Sequence, residues 1–160
     1  MDSEAQSERT SPVAEGAVET VLIQVPADAD YLAVIRSAAA HVATKFGCTL
    51  PEVADLRLAV DEASGLLLRH TVRDRQAADG AGGPGDDGAG GTGVGDLECR
   101  FILDAATLRV VIGRQARNSA PPQSDEFGWT ILSALVDDIV WHTEGSTVRV
   151  EILKRRAAAR

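Results

Sequence analysis

The order strand, helix, helix, strand, strand, helix, strand, strand predicts an α/β (α+β) two-layer sandwich, a mixed, mainly antiparallel sheet backed by three helices. Three observations carry this prediction. Apolar residues recur at helical spacing in "DADYLAVIRSAAAHVATKFG" and "LPEVADLRLAVDEASGLLLRH". They alternate in "LECRFIL" and "STVRVEILK". The last four strands come as hairpin pairs, which favours an antiparallel sheet over a doubly wound parallel one.

Residues 1–18 are acidic, polar and without periodicity, and are expected to be a disordered tail. Order should begin with "ETVLIQVP", a β-rich run closed by Pro26. In the first helix Tyr31, Ile35, Ala38, Val42 and Phe46 form the expected buried stripe, and Gly47 supplies the left-handed stop. Thr49 lies three residues before Glu52, which is a capping-box signature, and Pro51 is tolerated in the first turn. A second helix is therefore expected from about Leu50 to His70, burying Val53, Leu56, Val60, Ala63 and Leu67.

The glycine-rich stretch "DGAGGPGDDGAGGTGVG", Asp79 to Gly95, has too little apolar surface to fold alone and reads as a flexible insertion. No lysine, Ser/Thr pairing or following helix gives it the context of a phosphate-binding loop. Leu97, Cys99, Phe101 and Leu103 then alternate on one strand face, "DAA" turns, and Leu108 to Ile112 returns. Pro121 and Pro122 interrupt regular structure before "FGWTILSALVDD", a third helix with Ile131, Leu132 and Leu135 inward. A final hairpin places Val148, Val150 and Ile152 on one face. One ordered domain over 19–154 results, with residues 155–160 as a basic, solvated tail.

Composition narrows the function. With 160 residues, 44% of them hydrophobic, the chain suits a single domain with a real core. A net charge of −8 argues against direct nucleic-acid binding and suits a basic protein partner. No run reaches the roughly 20 apolar residues of a membrane span, and the N-terminus lacks a signal-peptide pattern, so a cytoplasmic location is expected. Cys48 and Cys99 are too few for a metal quartet and read as reduced core or near-core residues.

Asp61 and Glu62 stand inside the apolar pattern of the second helix. Leu58, Glu62 and Leu66 share a face set apart from the Val53, Leu56 and Val60 stripe, so Glu62 is either a surface acid or a functional one. Asp55 and Arg69 read as ordinary surface charges. His41, His70 and His142 have no metal-ligand spacing, and Ser64, Ser119 and Ser133 lack a nucleophile-elbow context.

The stretches "LRLAVDEASGLLLRH" and "FGWTILSALVDDIVWHTEGSTVRVEI" resemble the second helix and the closing glycine, helix and hairpin of the serine-kinase-type anti-sigma factors. This is the RsbW and SpoIIAB group of the GHKL, or histidine kinase-like, ATPase superfamily, and the actinobacterial members are the most similar. The resemblance runs from about Thr20 to Lys154 and implies the GHKL (Bergerat-like) fold. It implies an anti-sigma factor that sequesters an alternative sigma factor of RNA polymerase, is released by a STAS-domain anti-anti-sigma factor, and pairs as a homodimer. Kinase members of the group also phosphorylate a serine of the STAS partner with Mg-ATP.

Residue by residue, the resemblance makes Glu62 the general base. Where the group has an asparagine that ligates magnesium, this chain has Leu66, which offers no oxygen to a hard cation. After "LRVVI" the adenine-binding "DxGxG" is replaced by "GRQARNSA", which keeps only Gly113, and of the glycine-rich lid only Gly128 matches. Glu62, Gly113 and Gly128 are thus the remnants of an ATP site, with no cofactor required for binding a partner. An active serine/threonine kinase is the alternative reading. Arg36 aligns with an arginine of the shared sigma and STAS contact surface; read without the resemblance it is an exposed helix arginine, one that charge reversal should leave folded.

Deleting Asp79 to Gly95 and closing the gap with a short turn should leave stability nearly unchanged, because loop-closure entropy changes by only about 0.6 kcal/mol per doubling of length. Thermal denaturation checks this. A melting temperature lower by more than about 10 °C would show that the segment packs, since about 1 kcal/mol moves a domain this size by a few degrees.

Overall fold

The computed structural model describes residues 16–71, 96–115, 121 and 126–158. Most of the expected N-terminal tail, the glycine-rich insertion and nearly all of the proline loop lie outside those residues. Strand β1 (Glu19–Val25) leads through a single 3-10 turn (Ala29–Tyr31) into helix α1 (Leu32–Phe46) and helix α2 (Leu50–Thr71). Strands β2 (Leu97–Leu103) and β3 (Thr107–Gln115), helix α3 (Phe127–Leu135), and strands β4 (Asp138–Glu144) and β5 (Thr147–Arg155) follow. The order is the one read from the sequence.

The sheet runs β1-β2-β3-β5-β4, and every hydrogen-bonded pair is antiparallel. Among the described residues, α1 and α2 lie between β1 and β2, which run antiparallel, and α3 lies between β3 and β4. The strands β3 and β4 run the same way, but β5 lies between them. Among the described residues, the parallel component expected of a mixed sheet is therefore a matter of direction only and makes no ladder.

One sheet face carries the core. Leu97, Cys99, Phe101 and Leu103 of β2, Leu108, Val110 and Ile112 of β3, and Val148, Val150 and Ile152 of β5 are all buried there. Against them α1 lays Ile35, Ala39, Val42, Ala43 and Phe46, and α2 lays Leu56, Ala59, Val60, Ala63, Leu66 and Leu67. The predicted alternation in the strands holds residue for residue. In α1 the stripe is rotated slightly: Tyr31 is 46% exposed and Leu32 and Ala39 take the interior. The cause is local, because Tyr31 closes the 3-10 turn and precedes the first α-helical residue, so it does not share the helical phase.

The connection between α1 and α2 forms as its residues dictate. Gly47 adopts φ 96°, and its N–H donates back to the carbonyls of Ala43 and Thr44. The Thr49 N–H donates to Glu52 Oε2 at 2.8 Å, and the Glu52 N–H reaches Thr49 Oγ1 at 3.4 Å, which completes the capping box. Lys154 of β5 reaches Glu52 Oε1 at 3.2 Å, tying this turn to the sheet. Burial raises the Cys99 thiol pKa far above its ordinary value, and raises that of Cys48 as well, with Glu52 adding to it. Both cysteines thus behave as packed, protonated residues.

The boundary expected at residue 154 shifts outward. β5 continues to Arg155, whose N–H donates to Asp137 Oδ2 at 2.6 Å. The Arg156 N–H donates to the Ala106 carbonyl at 2.8 Å, and its guanidinium stacks 4.4 Å from the centroid of the Phe46 ring. Arginine packs well on an aromatic face, so Arg156 lies across the end of α1 while both arginines remain exposed, as expected of a solvated end. Among the described residues, no helix is long and apolar enough to cross a membrane.

The Thr49 N–H, then the Lys154 ammonium, hold the Glu52 carboxyl below its ordinary value of 4.5. A carboxyl lowered on folding contributes stability above its unfolded pKa and loses it as pH falls through the folded one. Glu52→Gln should therefore cost about 1 kcal/mol at neutral pH. In thermal melts across a pH series, the gap to wild type should narrow as the pH drops below about 4.5.

Candidate functional site

Helix α2 presents two faces away from the sheet, and consecutive acids mark them. Asp61 and Glu62 are about 100° apart around the helix. Asp61 turns toward α1, where its Oδ1 accepts from Arg36 Nη1 at 2.7 Å. Glu62 turns toward α3. Its Oε2 lies 3.2 Å from the point where a Cβ on Gly128 would stand. No hydrogen bond or ion pair engages Glu62 among the described residues.

The Glu62 side is built on close helix approach. Gly128, the second residue of α3, is buried, and the space its missing side chain leaves is shared by three residues of α2. Leu66 Cδ2 is 3.4 Å from that point and Arg69 Nη2 is 3.3 Å from it. A Cβ here would touch Leu66 normally but would crowd the Glu62 and Arg69 side-chain ends, which would have to give by a few tenths of an ångström. Arg69 also curls back over Gly65, placing Nη1 3.1 Å from its Cβ position. A residue that read as an ordinary surface charge thus covers two glycines beside Glu62. The signal that could have found it was seven residues of spacing, two helical turns, between Glu62 and Arg69.

Leu66 departs from the sequence expectation. The face of Leu58, Glu62 and Leu66 was expected to stand apart from the core, yet Leu66 is fully buried while Leu58 is 45% exposed. The reason is α3, which covers only the C-terminal half of that face, so the same stripe is surface at Leu58 and interior at Leu66. Four residues after Glu62 the site therefore presents an aliphatic side chain held within the core.

Gly113 does not join Glu62 and Gly128. It follows buried Ile112 on β3, so its Cβ direction points to the opposite sheet face, 3.0 Å from Arg149 Cγ and 3.2 Å from the Val148 carbonyl. That far face holds a concavity of about 780 Å³ lined by Arg100, Val111, Trp141, His142, Arg149 and Glu151, among others. Its charges are mutually engaged: Glu151 receives Arg109 Nε at 3.1 Å and stands 3.6 Å from His142 Nε2.

Arg36 also differs from its sequence reading. It does turn away from the buried Ile35 side of α1, but it is paired with Asp61, and the side chains remain 39% and 30% exposed. Reversing its charge would set two carboxylates together, so Arg36→Ala is the cleaner probe. The two partners are 25 residues apart, a separation that no local pattern reports.

A family model described as a histidine kinase-like ATPase domain matches residues 25–152. The chain belongs to that family. Within it the likeness is to the RsbW group. Serine-protein kinase RsbW of Bacillus cereus is 27% identical over 142 residues, covering 81% of this chain and 82% of its own. Serine-protein kinase RsbW of Bacillus mycoides is likewise 27% identical over the same shares. Among solved structures, the RsbU and RsbW domains of a Mycobacterium tuberculosis protein superpose with a TM-score of 0.57 at 15% identity. That superposition covers 88% of this chain and 34% of the other, and it bears on the fold alone.

A histidine kinase-like ATPase domain implies ATP and a divalent cation, and the residues can be tested for fit. Glu62 and Gly128 stand next to one another. Leu66 does not fit magnesium, which requires oxygen ligands, and it is fully buried. The Arg69 guanidinium adds a fixed positive charge on the same side. No step through the metal follows from this donor set.

Leu66→Asn should lower stability by about 3 kcal/mol, because it removes a fully packed aliphatic group and buries an amide among apolar neighbours. Urea denaturation measures this. A loss below about 1 kcal/mol would mean that the interface between α2 and α3 readily admits a polar group.

Proposed function

We propose that this protein is an anti-sigma factor of the cytoplasm. It sequesters an alternative sigma factor of RNA polymerase and is released by a STAS-domain anti-anti-sigma factor, with a degenerate ATP site that no longer transfers phosphate. It acts as a homodimer through protein contacts and makes none with nucleic acid or membrane. The likeness to the RsbW proteins supports the partner classes, and the half-exposed Arg36 on α1 supplies a cation for a partner carboxylate. The observation that carries the loss of kinase activity is Leu66, a core residue where the group's metal ligand would stand.

The alternative, an active serine/threonine kinase of the STAS partner, is favoured by one specific observation. Glu62 keeps a carboxylate that is only partly buried and unengaged among the described residues, as a proton acceptor requires. The relatives' printed name, serine-protein kinase, points the same way. Against it, phosphoryl transfer rests largely on metal-aided positioning and charge neutralisation, which Leu66 does not provide.

The deciding experiment incubates the protein with labelled ATP, magnesium and the STAS protein that co-purifies with it. No transfer above background is expected. Stoichiometric labelling of a partner serine that disappears in Glu62→Gln would establish the kinase instead.

A further inference from the structure

We infer that Asp61 is the positioning residue of the partner surface, and that it holds Arg36 ready for a partner carboxylate set beside an aliphatic side chain. The inference rests on the sigma-binding reading above and specifies what that surface recognises.

A guanidinium carries five N–H donors in a rigid fork, and its Nε and Nη2 edge suits a carboxylate bidentately. Asp61 takes Arg36 at one point only, Nη1 to Oδ1, and no second acceptor engages that guanidinium among the described residues. The fork edge is thus left for an incoming acid. A partner carboxylate can bind there without displacing Asp61, with the cation lying between the two acids. An untethered arginine would have to give up its rotamer freedom on binding; a tethered one has already done so.

The surroundings define the second half of the epitope. Leu58 lies three residues before Asp61, about one turn back on α2, and is 45% exposed. Ile35, the neighbour of Arg36, is fully buried, which fixes the backbone that carries the arginine. Arg36 is thus a held cation on α1, and Leu58 is an exposed leucine one turn from Asp61, on the side of α2 that turns toward Glu62. The segment that fits both carries Asp or Glu near an aliphatic residue, as one face of an amphipathic helix does.

The test uses the full chain and the sigma factor that co-purifies with it, identified by mass spectrometry and then produced recombinantly. Four proteins are titrated: wild type, Arg36→Ala, Asp61→Asn and the double variant. Arg36→Ala should weaken binding about thirtyfold or more. Asp61→Asn should weaken it about three- to tenfold in the wild-type background and not at all in the Arg36→Ala background, because it acts only through the arginine. Asp61→Glu, which retains the carboxylate, should restore binding to within about twofold and serves if Asp61→Asn does not fold.

Tighter or unchanged binding by Asp61→Asn overturns the inference, since Asp61 would then compete with the partner or be inert. An equal loss in both backgrounds also overturns it, by making Asp61 a direct contact. If Arg36→Ala binds as wild type does, the contact surface itself is misplaced and the inference falls with it. Loss in Arg36→Ala with no effect of Asp61 removes only the inference.

Discussion

The close approach of α3 to α2 at Gly128 is the constraint on which the upper layer of this fold depends. Without a side chain there, the start of α3 can settle against Glu62, Leu66 and Arg69 together. That contact converts one face of α2 from surface to interior partway along its length. It buries Leu66, keeps the Glu62 carboxylate at the rim, and draws the Arg69 guanidinium over the seam. The surroundings of Glu62 are set by this packing, with a buried leucine and an arginine guanidinium beside it and no added oxygen ligand from Leu66.

The other side of α2 follows different rules. Its contact with α1 includes the pair Arg36 and Asp61, while Ala39, Ala59 and Ala63 of the two helices are buried in the core. An ion pair this exposed adds little to stability. Its value is directional, since it fixes where a long cation points. One helix therefore separates a packed side, turned toward α3, from an open side, turned toward α1, by a single step in sequence, from Asp61 to Glu62.

The strands were legible because alternation is a local code: Leu97, Cys99, Phe101 and Leu103 must face one way in any extended chain. The turn from α1 to α2 was equally legible, since Gly47, Thr49 and Glu52 act within a few residues of one another. Leu66 was not, because helical periodicity shows that a residue lies on a face without showing what covers that face. The sign was present in Gly128, whose lack of a side chain marks a near neighbour but does not name it. Gly113 misled for a related reason, since its place beside Gly128 was inferred from motif order while strand alternation turned it to the far face. The Arg36 and Asp61 pair and the clasp of Arg156 on Phe46 join distant segments, and no spacing rule reaches that far.

The place of β5 in the sheet has a consequence for how this domain is made. It is the strand that joins β4 to the rest, pairing with β3 on one side and β4 on the other. Until it is in place, β3 has an open edge, β4 has no hydrogen-bonded neighbour, and Val148, Val150 and Ile152 are missing from the core. The pairing of β5 with β4 is a local hairpin, while its pairing with β3 joins distant segments and carries a loop-entropy cost that local pairs do not. A chain from which residues 147–155 were missing would have its sheet unfinished and its core open. The native state is completed with that strand and not before it.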